Sequence, residues 1–159
     1  TSDYGNTLLY IQAQGIGSSD YPLDISKWND KREIPNMGIY FSNMDLLSVS
    51  FRKNVRLKRY PWRSEEHEWY QRRGVIEPMV DYIGMVPGKT YRVVVEKRAD
   101  SLRLQLHDDL TGEQYLDYRW DTTKIDERIE PQQVDKGRIG LRHMATKQFI
   151  YSDFLVEQL

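Results

Sequence analysis

Along most of the chain, apolar and polar residues alternate one by one, the period of a half-buried β-strand, while the spacing of an amphipathic helix is nearly absent. From Thr7 to Gln14, Leu9, Ile11 and Ala13 fall on one side and Leu8, Tyr10, Gln12 and Gln14 on the other. The alternation recurs from Ile39 to Phe41, and from Leu46 to Arg52, where Leu47, Val49 and Phe51 oppose Ser48, Ser50 and Arg52. After a Pro87-Gly88-Lys89 turn, Tyr91, Val93 and Val95 alternate with Arg92, Val94 and Glu96. Leu102, Leu104 and Leu106 then oppose Arg103, Gln105 and His107, and Asp108 to Gly112 has the chemistry of a hairpin turn into Gln114 to Trp120. Two closing runs, Arg138 to Met144 and Phe149 to Val156, flank a short polar turn as an antiparallel pair does. Short strands with turn residues about every ten positions predict an all-β antiparallel β-sandwich or jelly roll.

Two stretches break the rhythm. Ile16 to Met37 is rich in Gly, Pro, Ser, Asp and Asn and reads as a long loop, with a short helical turn around Ile25 to Trp28. A loop of that length inside a compact domain is more often functional than idle. Asn54 to Met85 interleaves Arg56, Lys58, Arg59, Arg63, Arg72 and Arg73 with Tyr60, Trp62, His67, Trp69 and Tyr70. Sugars stack their C–H faces on Trp and Tyr, and anionic substituents call for bidentate Arg, so this stretch suits a uronate or sulfated glycan. Equally, it fits a pair of edge strands with outward arginines and inward tryptophans.

Composition narrows the function classes. A chain of 159 residues is the size of one domain spanning 1–159 and can bury roughly 70% of its unfolded surface. No stretch approaches the roughly 18 apolar residues of a membrane helix, so no membrane span is expected. Net charge is −1, and Glu65, Glu66, Glu68 and Glu77 offset the basic stretch, which argues against a nucleic-acid partner. The absence of cysteine removes disulfides, thiolate metal sites and cysteine nucleophiles. The chain starts at Thr1 with no charged-then-apolar leader, so no signal peptide is expected in it.

The closing segment, Gly137-Arg-Ile-Gly-Leu-Arg-His-Met144, a turn, then Phe149-Ile-Tyr-Ser-Asp-Phe-Leu-Val156, resembles the C-terminal end of concanavalin A-like lectin/glucanase jelly rolls. It looks most like an uncharacterised bacterial branch of that superfamily whose members are labelled glycan-active. Thr7 to Gly15 is similar to an early concave-sheet strand of the branch, and Gly88 to Glu96 looks like its central Pro-Gly-Lys-x-Tyr strand. Asp20 to Glu77 carries no part of the resemblance. What it implies is a carbohydrate-associated protein, extracellular or periplasmic, that binds or processes an acidic polysaccharide or oligosaccharide in a concave-sheet groove. Such jelly rolls have strands before the segment similar to Thr7 to Gln14. The expectation is therefore a domain incomplete at its N-terminus, completed by a second chain or a further N-terminal segment.

Two functional readings follow, with a ligand-free structural sandwich as the third. In a binding module, Tyr10, Gln12, Gln14, Arg52, Trp62, Trp69 and Arg142 would hold the glycan. An enzyme, polysaccharide lyase or glycoside hydrolase, would need a cation to neutralise the uronate and a His or Tyr to move protons, and His67, His143 and Tyr60 are the candidates. The paired-acid strand motif of the characterised glucanases is missing, which disfavours retaining hydrolysis. Arg142 falls on the side opposite Ile139 and Leu141, able to face a groove; His143 shares their parity and is expected to be buried and hydrogen-bonded. His107 reads as a turn histidine. The 3 histidines have no repeated spacing, so no metal site is expected from them. A structural calcium would draw on Asp3, Asp20, Asp24 and Asp153, whose spacing does not dictate a site; Asp153 fits better as a turn-closing acceptor.

Overall fold

The computed structural model describes residues 6–28, 43–60, 74–82, 84–123, 136–144 and 148–158. Among them run eight strands: β1 (Asn6–Gly15), β2 (Met44–Phe51), β3 (Asn54–Tyr60), β4 (Val75–Asp81), β5 (Tyr91–Lys97), β6 (Ser101–Asp108), β7 (Gln114–Asp121) and β8 (Arg138–Met144). They form two antiparallel sheets, one of five strands in the order β4-β3-β2-β1-β8 and one of three in the order β5-β6-β7. The fold is an all-β antiparallel sandwich, as the alternation predicts. No helix among the described residues is long and apolar enough to cross a membrane.

The alternation sets the layers. Leu47, Val49 and Phe51 of β2, Val55 and Leu57 of β3, and Ile76 of β4 turn inward against Leu102, Leu104 and Leu106 of β6 and Leu116 and Trp120 of β7. Burying one such aliphatic side chain contributes about 1.5–3 kcal/mol before entropy is counted. The Trp120 indole N–H donates to the Pro78 carbonyl at 2.9 Å, which seats β7 over β4. The opposite end of the small sheet, β5, therefore lies toward β1 and β8.

β3 and β4 lie inside the stretch that breaks the sequence rhythm. β3 obeys the same rule, with Val55 and Leu57 inward and Arg56 and Lys58 outward, but its cationic residues mask the pattern. It is a central strand, while β4 is the edge. The tryptophans of that stretch, Trp62 and Trp69, lie outside the described residues, as do Ile39 to Phe41.

One bulge alters the expected faces of β1. Ile11 pairs with Leu47 but Gln14 pairs with Asp45, so Gln12 and Ala13 together oppose Leu46. Gln12 takes a left-handed backbone, φ 53°. Beyond the bulge the parity flips: Ala13 joins Tyr10, Met44, Leu46 and Tyr60 in a second cluster on the outer face, not Leu9 and Ile11 in the main core. Gln14 turns instead toward the sandwich interior. Gly137, at φ 138°, lies against this bulge; a Cβ there would stand 2.4 Å from the Gln12 carbonyl group.

Two further segments complete the comparison. The short helical turn exists as a 3-10 turn, Ile25–Lys27, capped by Asp24, whose carboxylate accepts from the Ser26 N–H at 3.0 Å and hydroxyl at 2.7 Å. Trp28 follows it into the outer-face cluster and donates its indole N–H to the Pro22 carbonyl at 2.8 Å. Phe149 to Val156, in contrast, is not a strand: it is irregular and largely exposed, with Asp153 at φ 52°. Alternating apolar residues alone do not make a strand without a neighbouring edge to pair with.

Candidate functional site

The outer face of the five-stranded sheet brings together three of the described candidates, Tyr10, Tyr60 and Arg142. In one row across the strands, Gly140, Tyr10, Ser48 and Lys58 are successive register partners; in the next, Arg142, Leu8, Ser50 and Arg56 are. Tyr60 stands opposite Leu46 beyond the first row. Adjacent strands are about 4.8 Å apart, so Lys58 lies roughly 10 Å across the sheet from Tyr10. Arg142 donates from Nη1 to the Tyr10 hydroxyl at 3.2 Å, and Arg56 donates from Nε to the Asn54 side-chain oxygen at 2.9 Å. Val75 of β4 continues the first row beyond Lys58.

Burial shapes the chemistry of these groups. Ser48, Ser50, Leu8 and Tyr60 are buried, while Tyr10, Arg56, Lys58 and Arg142 are half-buried, so the face is enclosed at its centre and is no open trough. Among the described residues the buried Ser48 hydroxyl has no hydrogen-bond partner. Desolvation pulls the Lys58 ammonium below the ordinary lysine range, and its charged neighbours Arg56 and Arg52 push it the same way. Burial pushes the Tyr60 phenol well above its usual range, Tyr10 adds to that, and Arg142 opposes it. Tyr60 thus stays protonated.

The remaining candidates separate. Gln12 occupies the bulge, with a buried side-chain oxygen that meets no partner among the described residues. Gln14 donates to Asp45 at 3.0 Å, and the Arg59 guanidinium pairs with the same carboxylate at 2.5 Å. This is a buried brace on the interior side of the sheet, so Gln14 and Arg59 leave the glycan-facing set. Arg52 sits exposed in the β2–β3 turn, its carbonyl accepting from the Tyr82 hydroxyl at 3.0 Å. His143 faces inward, as its parity predicts, but only half-buried: its ring packs edge-on to Phe149 and hydrogen-bonds the Tyr151 hydroxyl at 2.5 Å. His143 and Tyr60 therefore lie on opposite faces of one sheet, and His67 lies outside the described residues. His107 belongs to β6 and not to the turn after it.

Of the calcium candidates, Asp24 is committed to its cap and to Arg138 at 3.3 Å, Asp20 and Asp153 are exposed, and Asp3 lies outside the described residues. Among the described residues no three His, Asp or Glu side chains converge.

The small sheet shows what a saturated charged face looks like. Arg103 grips Asp117 with two hydrogen bonds of 2.7 and 2.5 Å, and Glu96 is shared by Arg98 and Arg119 at 2.5 and 3.1 Å. These pairs commit Arg98, Arg103 and Arg119 to carboxylates of the same sheet. Comparison with family models, curated proteins and solved structures finds no match to this chain.

Proposed function

We propose that the outer face of the five-stranded sheet binds an acidic saccharide, as an oligosaccharide or the end of a longer polysaccharide. The observation that carries this reading is the gathering of Arg56, Lys58 and Arg142 with Tyr10 on one face, where desolvation and the neighbouring arginines disfavour the Lys58 charge. An anionic ligand would offset that cost, and Arg56 and Arg142 would extend the contact. Tyr10, half-buried, offers a ring face for stacking. The enclosed centre favours a short segment or chain end over a long polymer lying in a trough. The resemblance to concanavalin A-like jelly rolls, and the extracellular or periplasmic setting it implies, agree with such a ligand.

Binding is the better reading over cleavage. Elimination needs a base, and among the described candidates a phenol pushed upward by burial is a poor one, while His143 faces the other side of the sheet. Calorimetric titration with polygalacturonate, alginate and chondroitin sulfate fragments, against neutral dextran and cello-oligosaccharides, tests the reading. Salt-sensitive binding to acidic fragments alone, without the ultraviolet absorbance of an unsaturated uronate, is expected. Equal binding to neutral sugars, or none to any acidic one, would overturn it.

A further inference from the structure

The sandwich has an unfinished side. Among the described residues three strands cover a five-stranded sheet, and with β7 seated over β4, the β5 and β8 edges, which no described strand pairs, fall on the same side. Leu141 pairs with Leu9, which packs on the main core, yet Leu141 is 41% exposed, and Ile139 on the same inward parity matches it. Val93 is level with the fully buried Leu106 and is 40% exposed. Inward-facing aliphatics at an unpaired edge are what a sheet shows where a further strand belongs.

The chain also carries an unpaired strand-like segment. In Phe149 to Val156, Ile150 is 99% and Leu155 76% exposed, and Phe154 and Val156 are exposed as well. Ile150, Phe154 and Val156 share one parity; Tyr151, Asp153 and Glu157 share the other. Phe149 and Tyr151 tether the segment to His143 at the end of β8, and the left-handed Asp153 turns the rest away from extended geometry.

We propose that Phe149–Val156 of a second copy of this chain pairs with the open β5 edge and that the exchange is reciprocal, giving a two-fold dimer. Ile150, Phe154 and Val156 would cover Val93, Ile139 and Leu141, while Asp153 and Glu157 would meet the exposed Arg92 on the outward side of β5. The tether holds each tail away from its own edge, and reciprocal exchange satisfies both unfilled edges and both tails at once. Two tails of eight residues with their acceptor edges would bury on the order of 1,500 Å² in total, the size of a standard specific interface.

Light scattering after size exclusion, across a hundredfold range of protein concentration, tests this. Expected are a dimer for the unaltered chain, and monomers for both the donor variant Phe154→Asp/Val156→Asp and the acceptor variant Val93→Lys, each with an unchanged far-ultraviolet spectrum. Either variant that loses that spectrum is replaced by the chain ending at Gln148, which must likewise be monomeric. A monomer at every concentration, or a dimer that survives both alterations, overturns the proposal. So does a monomer whose tail variant only lowers stability, because the tail would then be pairing with its own edge.

Discussion

Removing the Asp45 carboxylate is the sharpest perturbation of the interior of this sandwich. Arg59 is 2% exposed, with Asp45 at 2.5 Å and the Leu46 carbonyl at 3.4 Å as acceptors of its guanidinium. Burial disfavours its charge and Asp45 opposes that effect. Asp45→Ala leaves the cation buried without its carboxylate and removes the acceptor of Gln14, so it should cost about 3–5 kcal/mol. Arg59→Met leaves a buried carboxylate that keeps only the Gln14 donor, and should cost about as much. The double variant has no charge to strand. Its cost should fall short of the sum of the single costs by about 2–3 kcal/mol, a coupling expected of groups in direct contact. Urea unfolding with a common m-value measures all four corners of the cycle. Additivity within about 0.5 kcal/mol would refute the brace, as would a cost below about 1 kcal/mol for Asp45→Ala.

Two other variants test separate parts of the fold. Gly137→Ala places a Cβ 2.4 Å from the Gln12 carbonyl group at a φ of 138°, so it should lower stability by at least about 1–3 kcal/mol in the same urea assay. Asp108 accepts from the Lys89 ammonium at 2.9 Å, the Thr111 N–H and the Tyr115 hydroxyl, which together hold its carboxyl far below the usual range. A folded-state value below the unfolded one gives stability that is present above about pH 4 and is lost as pH falls toward the folded value. Asp108→Asn should therefore melt lower than the unaltered chain at neutral pH, and the gap should close on acidification; a gap independent of pH would contradict this.

Much of the fold is legible in the sequence because period-two alternation reports burial directly. β2, β5, β6 and β7 follow their side-chain parity, and Arg142 and His143 fall on the faces it assigns. β3 is harder to see because Arg56, Lys58, Arg59 and Tyr60 raise its charge, although Val55 and Leu57 keep the period. Arg59 escapes the rule altogether: a buried guanidinium needs a partner, Asp45, supplied by another strand. The β1 bulge is invisible to parity because one extra residue reverses every face after it, which moves Gln14 inward and Ala13 outward. Lys58 as a site residue was readable from its shared parity with Arg56, but its burial depends on tertiary structure. The tail fails in the opposite sense: its pattern is that of a strand, but its contacts with His143 and the left-handed Asp153 keep it from extended pairing.

Lys58→Met distinguishes a binding face from a structural one. Desolvation and the neighbouring Arg56 and Arg52 disfavour the Lys58 charge, so the variant should unfold at the same urea concentration as the unaltered chain, or higher. Its affinity for an acidic oligosaccharide, titrated calorimetrically beside the unaltered chain, should fall about tenfold, the equivalent of about 1.4 kcal/mol for one charge-assisted contact. An unchanged affinity in the stably folded variant would contradict the assignment of the outer face as an acidic-saccharide site.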